Sequence, residues 1–274
     1  MPTIPSWQPP SPERAPHQHR ALAASFGADA ERYDRARPRY PQSLVDRIVA
    51  ASPGPSFLDV GTGTGIAARQ FQAAGCEVLG VEVDARMAAW ARRRGLEVEV
   101  AAFESWDPAG RAFDAVVSGQ TWHWVDPVAG AARAAQALRP GGRLTVFWNA
   151  GSPPAELAGA FAAIYHRLLP GSLAARQWTA SPVGPYADLG AKAADGMRRT
   201  DLFGAPEEWR FDWERPYTRD EWLDQLPTTG GHTQLPPDRL AAVLREVGAA
   251  VDAAGGGFTM RYATVAVGAV RIGA

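Results

Sequence analysis

The sequence predicts an α/β fold: a doubly wound, mostly parallel sheet of seven strands with helices on both faces. Three observations predict it. Short apolar runs alternate with helical segments between residues 42 and 148, the first run enters the glycine cluster Gly61-Thr62-Gly63-Thr64-Gly65, and a long β-branched stretch closes the chain. Strands that alternate with helices pair in parallel through right-handed crossovers, which puts helices on both sides of the sheet.

The elements follow in order. Residues 1–20 carry six prolines among polar residues, which leaves few helix donors and little apolar surface, so a disordered tail is expected there. From Gln42 to Ala51, Leu44, Val45, Ile48 and Val49 recur at helical spacing, and Pro53-Gly54-Pro55 stops the helix. Ser56 to Val60 is the first strand, and the glycine cluster is the tight turn into a helix over 65–74. A strand from Glu77 to Glu82, a helix over 85–94, strands Leu96 to Ala101 and Phe113 to Ser118, a helix over 127–137 and a strand Arg143 to Trp148 continue the rhythm. It breaks after Asn149. Residues 151–206 read as a helical insertion, Glu208 to Arg215 alternates Trp209, Phe211 and Trp213 with charges as a half-buried strand does, and Leu240, Val243, Leu244, Val247 and Val251 form a helical stripe. Phe258 to Ile272 is the closing strand. The organisation expected is a tail (1–20), a core with an N-terminal lid (21–150), a substrate-covering insertion (151–206) and closing elements (207–274).

Composition narrows the chemistry. Of 274 residues, 46% are hydrophobic and 21% charged, with a formal net charge of −1, which gives no bias towards nucleic acid or anionic membrane. One cysteine, Cys76, excludes an internal disulfide, a four-cysteine zinc site and a Cys-x-x-Cys pair. The 28 basic residues are 27 arginines and Lys192, which follows no glycine loop, so P-loop and Schiff-base chemistries fall away. With no apolar run of membrane-spanning length and no basic-then-apolar leader, a cytoplasmic location is expected.

The glycine loop carries most of the functional signal. Glycines between a buried strand and a helix N-terminus let a ligand approach the backbone closely. The dinucleotide fingerprint wants Gly-x-Gly-x-x-Gly, and here Ile66 stands where its third glycine would fall. Asp59, just before the loop, repels a pyrophosphate and suits a cationic, amino-acid-bearing ligand. Glu82 ends the second strand, where an acid accepts hydrogen bonds from both hydroxyls of a ribose. Asp84 is read as the cap of the helix that begins at Ala85.

These residues, with Phe113-Asp114-Ala115-Val116-Val117 and Leu138-Arg139-Pro140-Gly141-Gly142, resemble the successive motifs of class I S-adenosylmethionine-dependent methyltransferases, strongly over about residues 25–150. Tyr217 to Leu223 and the last strand resemble a small-molecule subgroup akin to the trans-aconitate methyltransferases. The resemblance implies a Rossmann-like methyltransferase fold, S-adenosylmethionine as cofactor, S-adenosylhomocysteine as product and a small-molecule acceptor, with no nucleic-acid or membrane partner. It places Gly61, Thr62, Gly63 and Gly65 around the methionine part, Asp59 beside them and Glu82 on the ribose. Phe103 either stacks on adenine or packs the core, and Glu104 accepts from the adenine amino group. Tyr33 and Arg37, in a lid-like segment, approach the cofactor carboxylate. Ser118 and Gln120 line the donor site.

Ligands of open α/β sheets bind beyond the carboxyl ends of the strands, which puts Thr121-Trp122-His123-Trp124 at the reaction centre. Trp122, Trp124 and Trp148 are candidate walls of the substrate pocket, His232 a further candidate on the acceptor side, and His123 a candidate general base. No metal is required. An oxygen acceptor is the default, with nitrogen or carbon as alternatives. The competing functions are a nicotinamide oxidoreductase and a non-methylating S-adenosylmethionine binder or cyclase.

Overall fold

A computed structural model describes residues 25–172, 175 and 184–273. The expected tail over 1–20 lies outside them. A short turn, Phe26–Asp29, leads into α1 (Ala30–Ala36), whose first turn is capped by the Asp29 carboxylate accepting from Arg32 N. Helix α2 (Gln42–Ala50) buries Leu44, Val45 and Ile48, and β1 (Ser56–Val60) follows. Gly65, at φ +84°, stands in the left-handed region and starts α3 (Ile66–Ala73). Strand β2 is Glu77–Glu82, and α4 (Ala85–Arg93) is capped by Asp84, which accepts from Arg86 N as the sequence predicts. Strands β3 (Glu97–Val100) and β4 (Phe113–Gly119) precede α5 (Pro127–Ala137), where Asp126 accepts from two backbone amides and Pro127 opens the helix.

Strand β5 runs over Leu138–Ser152, well beyond the Arg143 to Trp148 expected. Pro140-Gly141-Gly142 reads locally as a turn. It is drawn into the sheet because Leu138 pairs with Phe113 across a bulge and Gly141 N donates to Arg271 O. At the other end Asn149 to Ser152 pair with Thr264 to Arg261, a long-range partner that no local pattern announces. The remaining elements are α6 (Ala155–Leu168), α7 (Gly184–Arg199), β6 (Glu207–Thr218), α8 (Arg219–Gln225), α9 (Pro237–Ala253) and β7 (Gly257–Val270). Helix α8 begins with a reciprocal capping box between Thr218 and Glu221.

The seven strands lie in the order β3-β2-β1-β4-β5-β7-β6, parallel except for the two antiparallel pairings of β7. One hydrophobic cluster packs α5 and α7 on one face, a second packs α2, α3 and α4 on the other, and a third joins α6, α8 and α9 to the ends of β6 and β7. Strand β6 is an edge: Glu208, Arg210, Asp212 and Glu214 are exposed, and Trp209 lies between the Arg47 and Arg143 guanidiniums at 4.9 and 4.7 Å. The N-terminal segment is tied down at several points. Arg32 and Arg35 of α1 both donate to Asp224 of α8, and the Ser25 and Thr233 hydroxyls lie 2.7 Å apart. No helix among the described residues is long and apolar enough to cross a membrane.

Candidate functional site

The turn from β1 to α3 is held open by backbone geometry. Gly61 N and Thr62 N both donate to Val81 O, which ties the loop to the end of β2. Gly61, Gly63 and Gly65 have φ of +65°, +57° and +84°, a region that L side chains enter at a cost. A Cβ on Gly61 would collide with the Thr121 side chain, whereas one on Gly63 meets no atom within 4 Å. The loop is therefore packed from behind at Gly61 and faces open space at Gly63.

Two buried carboxylates flank that space. Glu82 accepts from Gly63 N at 2.7 Å and from Asp84 N at 2.9 Å, so its side chain is fixed by backbone donors from both sides. Burial raises its pKa despite these donors. Asp59 is 1% exposed; its Oδ2 accepts from the Thr62 hydroxyl at 2.7 Å, and no hydrogen bond reaches Oδ1. Burial pushes Asp59 up to about 7, against the Thr62 hydrogen bond and with the Glu82 charge adding to the rise. A buried acceptor with no donor is costly, and protonation of the carboxyl relieves part of that cost.

Other candidates take packing or scaffolding positions. Ser118 is fully buried and donates to Val60 O at 2.9 Å, pinning β4 to β1. Phe103 is 3% exposed and packs between Trp106 and Trp122. Glu104 accepts from Asp126 N at the start of α5. Trp122 and Trp148 are buried in the same cluster rather than presented as walls, while Trp124 is half-buried and meets Phe26 of the lid at 6.4 Å. Gln120, at φ +61°, donates its backbone N–H to Phe147 O and its side-chain amide to Asn149 O. His232 is 2% exposed, held between the Tyr165 hydroxyl at 2.6 Å and the Thr229 hydroxyl at 2.8 Å.

His123 is placed where a base needs a free nitrogen, but its Nδ1 accepts from Trp148 Nε1 at 3.3 Å. Burial lowers its pKa to about 4. The ring is therefore neutral near pH 7, and a filled Nδ1 leaves the proton on Nε2, which makes it a donor rather than a proton acceptor.

Tyr33 and Arg37 do lie together, with the guanidinium 5.4 Å from the ring centroid. Sequence reasoning missed what surrounds them. Asn149 Nδ2 donates to Arg39 O, Asn149 Oδ1 accepts from Thr264, and Thr264 accepts from Trp213 Nε1. This buried chain fastens the Arg37 to Tyr40 segment to β5, β7 and β6. Among the described residues no group of His, Cys, Asp and Glu could hold a metal ion.

Comparison with known proteins agrees with this geometry. The chain is 35% identical over 133 residues to an uncharacterized methyltransferase of Mycobacterium tuberculosis, covering 47% of this chain and 54% of that one. It is 33% identical over 155 residues to the malonyl-[acyl-carrier protein] O-methyltransferase of Enterobacter lignolyticus, covering 54% and 61%. The chain thus spans little more than half the length of these curated relatives. Among solved structures, a provisionally assigned type II methyltransferase from Anaeromyxobacter dehalogenans superposes with a TM-score of 0.61 at 22% identity, over 87% of this chain and 99% of that one. A Haemonchus contortus phosphoethanolamine N-methyltransferase gives 0.51 at 14% identity, over 93% and 59%, so both show the shared fold. The family model described as a methyltransferase domain matches residues 33–253, and with a seven-stranded sheet of this order the chain belongs to that family.

Proposed function

We propose that the chain transfers the methyl group of S-adenosylmethionine to an oxygen of a small-molecule acceptor. The observation that carries this reading is the open space at Gly63, whose backbone N–H is held by the buried Glu82 carboxylate. That donor set fits the cofactor: Glu82 has lone pairs left for two ribose hydroxyls, and Asp59 offers an acceptor to a cationic amino-acid end. A pyrophosphate in the same place would meet the Glu82 carboxylate, and Ile66 stands where the dinucleotide loop wants its third glycine, which argues against the nicotinamide alternative.

When bound, the cofactor would supply an electrophilic sulfonium methyl for an ionised acceptor oxygen and would leave as S-adenosylhomocysteine. Everything else falls to the chain. The Gly61, Thr62, Gly63 and Gly65 backbone cradles the amino-acid end, and Glu82 orients the ribose. Phe26, Tyr33 and Trp124, packed on one another across the lid, exclude water from the reaction centre. His123 offers an Nε2–H to an acceptor oxygen. The Enterobacter relative is named as an O-methyltransferase, which agrees with an oxygen acceptor.

Calorimetric titration with S-adenosylhomocysteine and with NAD tests the cofactor, and incubation with methyl-labelled S-adenosylmethionine and small acids, phenols and amines tests turnover. Binding of S-adenosylhomocysteine without NAD, followed by label in an organic product, is expected. Binding of NAD alone refutes the cofactor assignment, and cofactor binding without transfer to any acceptor favours a non-methylating binder.

A further inference from the structure

Asp34 is a buried carboxylate that the cofactor assignment leaves unused. It lies in α1 at 4% exposure, and guanidiniums from three other places reach it: Arg69 of α3 at 2.5 Å, Arg39 of the segment after α1 at 3.9 Å, and Arg94, the residue after α4, at 3.9 Å. Burial opposes its charge, and the Arg69 hydrogen bond and charge outweigh burial, so the carboxyl is held below the usual carboxylate range.

Arg69 differs from the other two arginines in what else it holds. Its Nη2 donates to Asp34, while Nη1 donates at 2.6 Å to Thr64 O, the carbonyl between Gly63 and Gly65. A guanidinium is a rigid plane, so its two arms fix the placement of their acceptors relative to one another. The side chain folds back over the first turn of its own helix, so close to Gly65 that a Cβ there would lie 3.3 Å from Nη1. The loop carbonyl and the carboxylate of α1 are thereby held by one group.

The same N-terminal segment is anchored at a second point. Gly27 is buried against Asp84, whose carboxylate a Cβ on Gly27 would overlap, and Asp84 N donates to Glu82. Residues 27–34 therefore run from the end of β2, which carries Glu82, to the start of α3, which follows Gly63. The two anchors are unlike. Gly27 makes a close steric fit to an aspartate that also caps α4, whereas Asp34, Arg69 and Thr64 O form a line of short charge-assisted bonds that ends on the loop backbone.

We propose that Arg69 is a positioning residue for the donor site: through Asp34 and Thr64 O it makes the docking of α1 and the setting of the Gly61 to Gly65 loop a single event. A ligand in the loop is then felt by α1, and an undocked α1 weakens the hold of the loop on its ligand. The inference rests on the reading of that loop as the cofactor site. Linkage ties the two effects together, because the factor by which a saturating ligand suppresses opening of α1 equals the factor by which docked α1 tightens that ligand. Cutting the link abolishes both.

Hydrogen exchange of the full chain, read by mass spectrometry over residues 30–36 and 61–66 with and without S-adenosylhomocysteine, tests this beside calorimetric affinity. In the wild type, S-adenosylhomocysteine is expected to slow exchange in α1 about tenfold or more. Asp34→Asn leaves Arg32 and Arg35 on Asp224. It should nonetheless lose that slowing, bind S-adenosylhomocysteine about tenfold more weakly, and exchange faster at 61–66 even without ligand. Arg69→Gln should lose the same α1 response, and the double variant should lose no more affinity than Arg69→Gln alone, because both changes cut one link. A Tm that falls in these variants while α1 still slows as in the wild type marks a merely structural ion pair and overturns the proposal. So do a wild-type α1 indifferent to S-adenosylhomocysteine, and affinity losses that add. If Asp34→Asn fails to fold, Arg69→Lys takes its place, since an ammonium keeps the charge beside Asp34 and lacks the fork. A wild-type chain that does not bind S-adenosylhomocysteine refutes the cofactor assignment. The ligand-free comparison at 61–66 then decides the coupling, and a loop that exchanges alike in wild type and variant overturns it.

Discussion

Two glycines separate a ligand contact from a purely conformational requirement. Gly63 and Gly75 both have positive φ, +57° and +89°, and at neither would an added Cβ meet an atom within 4 Å. An alanine at either position is held in the left-handed region, at a cost of roughly 1–2 kcal/mol. For a chain of this size that lowers Tm by roughly 2–8 °C. The two variants are therefore expected to lose similar stability, by thermal unfolding followed by circular dichroism. They differ in what lies in front of them. Gly75 sits in the exposed turn between α3 and β2, whereas Gly63 borders the space between Glu82 and Asp59 that the proposed cofactor fills. A methyl group pressed against a bound ligand costs roughly 1–3 kcal/mol, or roughly 5- to 150-fold in affinity. Isothermal titration with S-adenosylhomocysteine should show that loss for Gly63→Ala and none for Gly75→Ala. Equal affinities in the two variants would refute the assignment of this space to the cofactor. Gly61→Ala is a poor substitute, because its Cβ collides with Thr121 and unfolding would obscure binding.

Glu82→Gln puts an amide where two backbone N–H groups converge, so one donor faces another; S-adenosylhomocysteine affinity is expected to fall by roughly 10- to 100-fold, measured by the same titration. Asp59, raised by burial to about 7 from 3.8, is protonated in the folded chain and ionised in the unfolded one between those values, so it erodes stability as pH rises across that window. Asp59→Asn should accordingly gain in Tm relative to wild type between pH 5 and pH 8, and a constant difference across that range would contradict the raised pKa. Asp224→Ala frees Arg32 and Arg35 together, and dissociation of S-adenosylhomocysteine, followed by stopped-flow tryptophan fluorescence, is expected to quicken by roughly two- to fivefold.

The legible parts of this molecule are those that local chemistry determines. Strands β1 and β2 begin where the sequence predicts, because Pro53-Gly54-Pro55 and Gly75 stand just before them, and the glycine loop and Glu82 fall within one βαβ unit. Asp84 caps α4 through an interaction that spans two residues. The rest depends on partners far away in sequence. The extra length of β5 comes from its pairing with β7, and the buried bonds that hold Arg39 O come from Asn149 of β5 and Thr264 of β7. The aromatic run at 122–124 shows a different limit. The run forms a single turn after β4, and a turn at the sheet's edge carries no periodicity that tells core from pocket, so Trp122 turns into the core while Trp124 stays half-buried. The Nδ1 bond that turns His123 from base to donor depends on Trp148, a strand away.

Strand β6 has a consequence outside the site. An unpaired sheet edge twelve residues long is a template on which another chain can add, the first step towards ordered aggregates. Here the outward positions alternate Glu208, Arg210, Asp212 and Glu214, and Pro216 has no amide hydrogen to offer an incoming strand. A newcomer would have to bury or match four charges to extend the ladder. Neutral substitutions along that row are where this fold would first become prone to fibre growth, even though none of them touches a ligand.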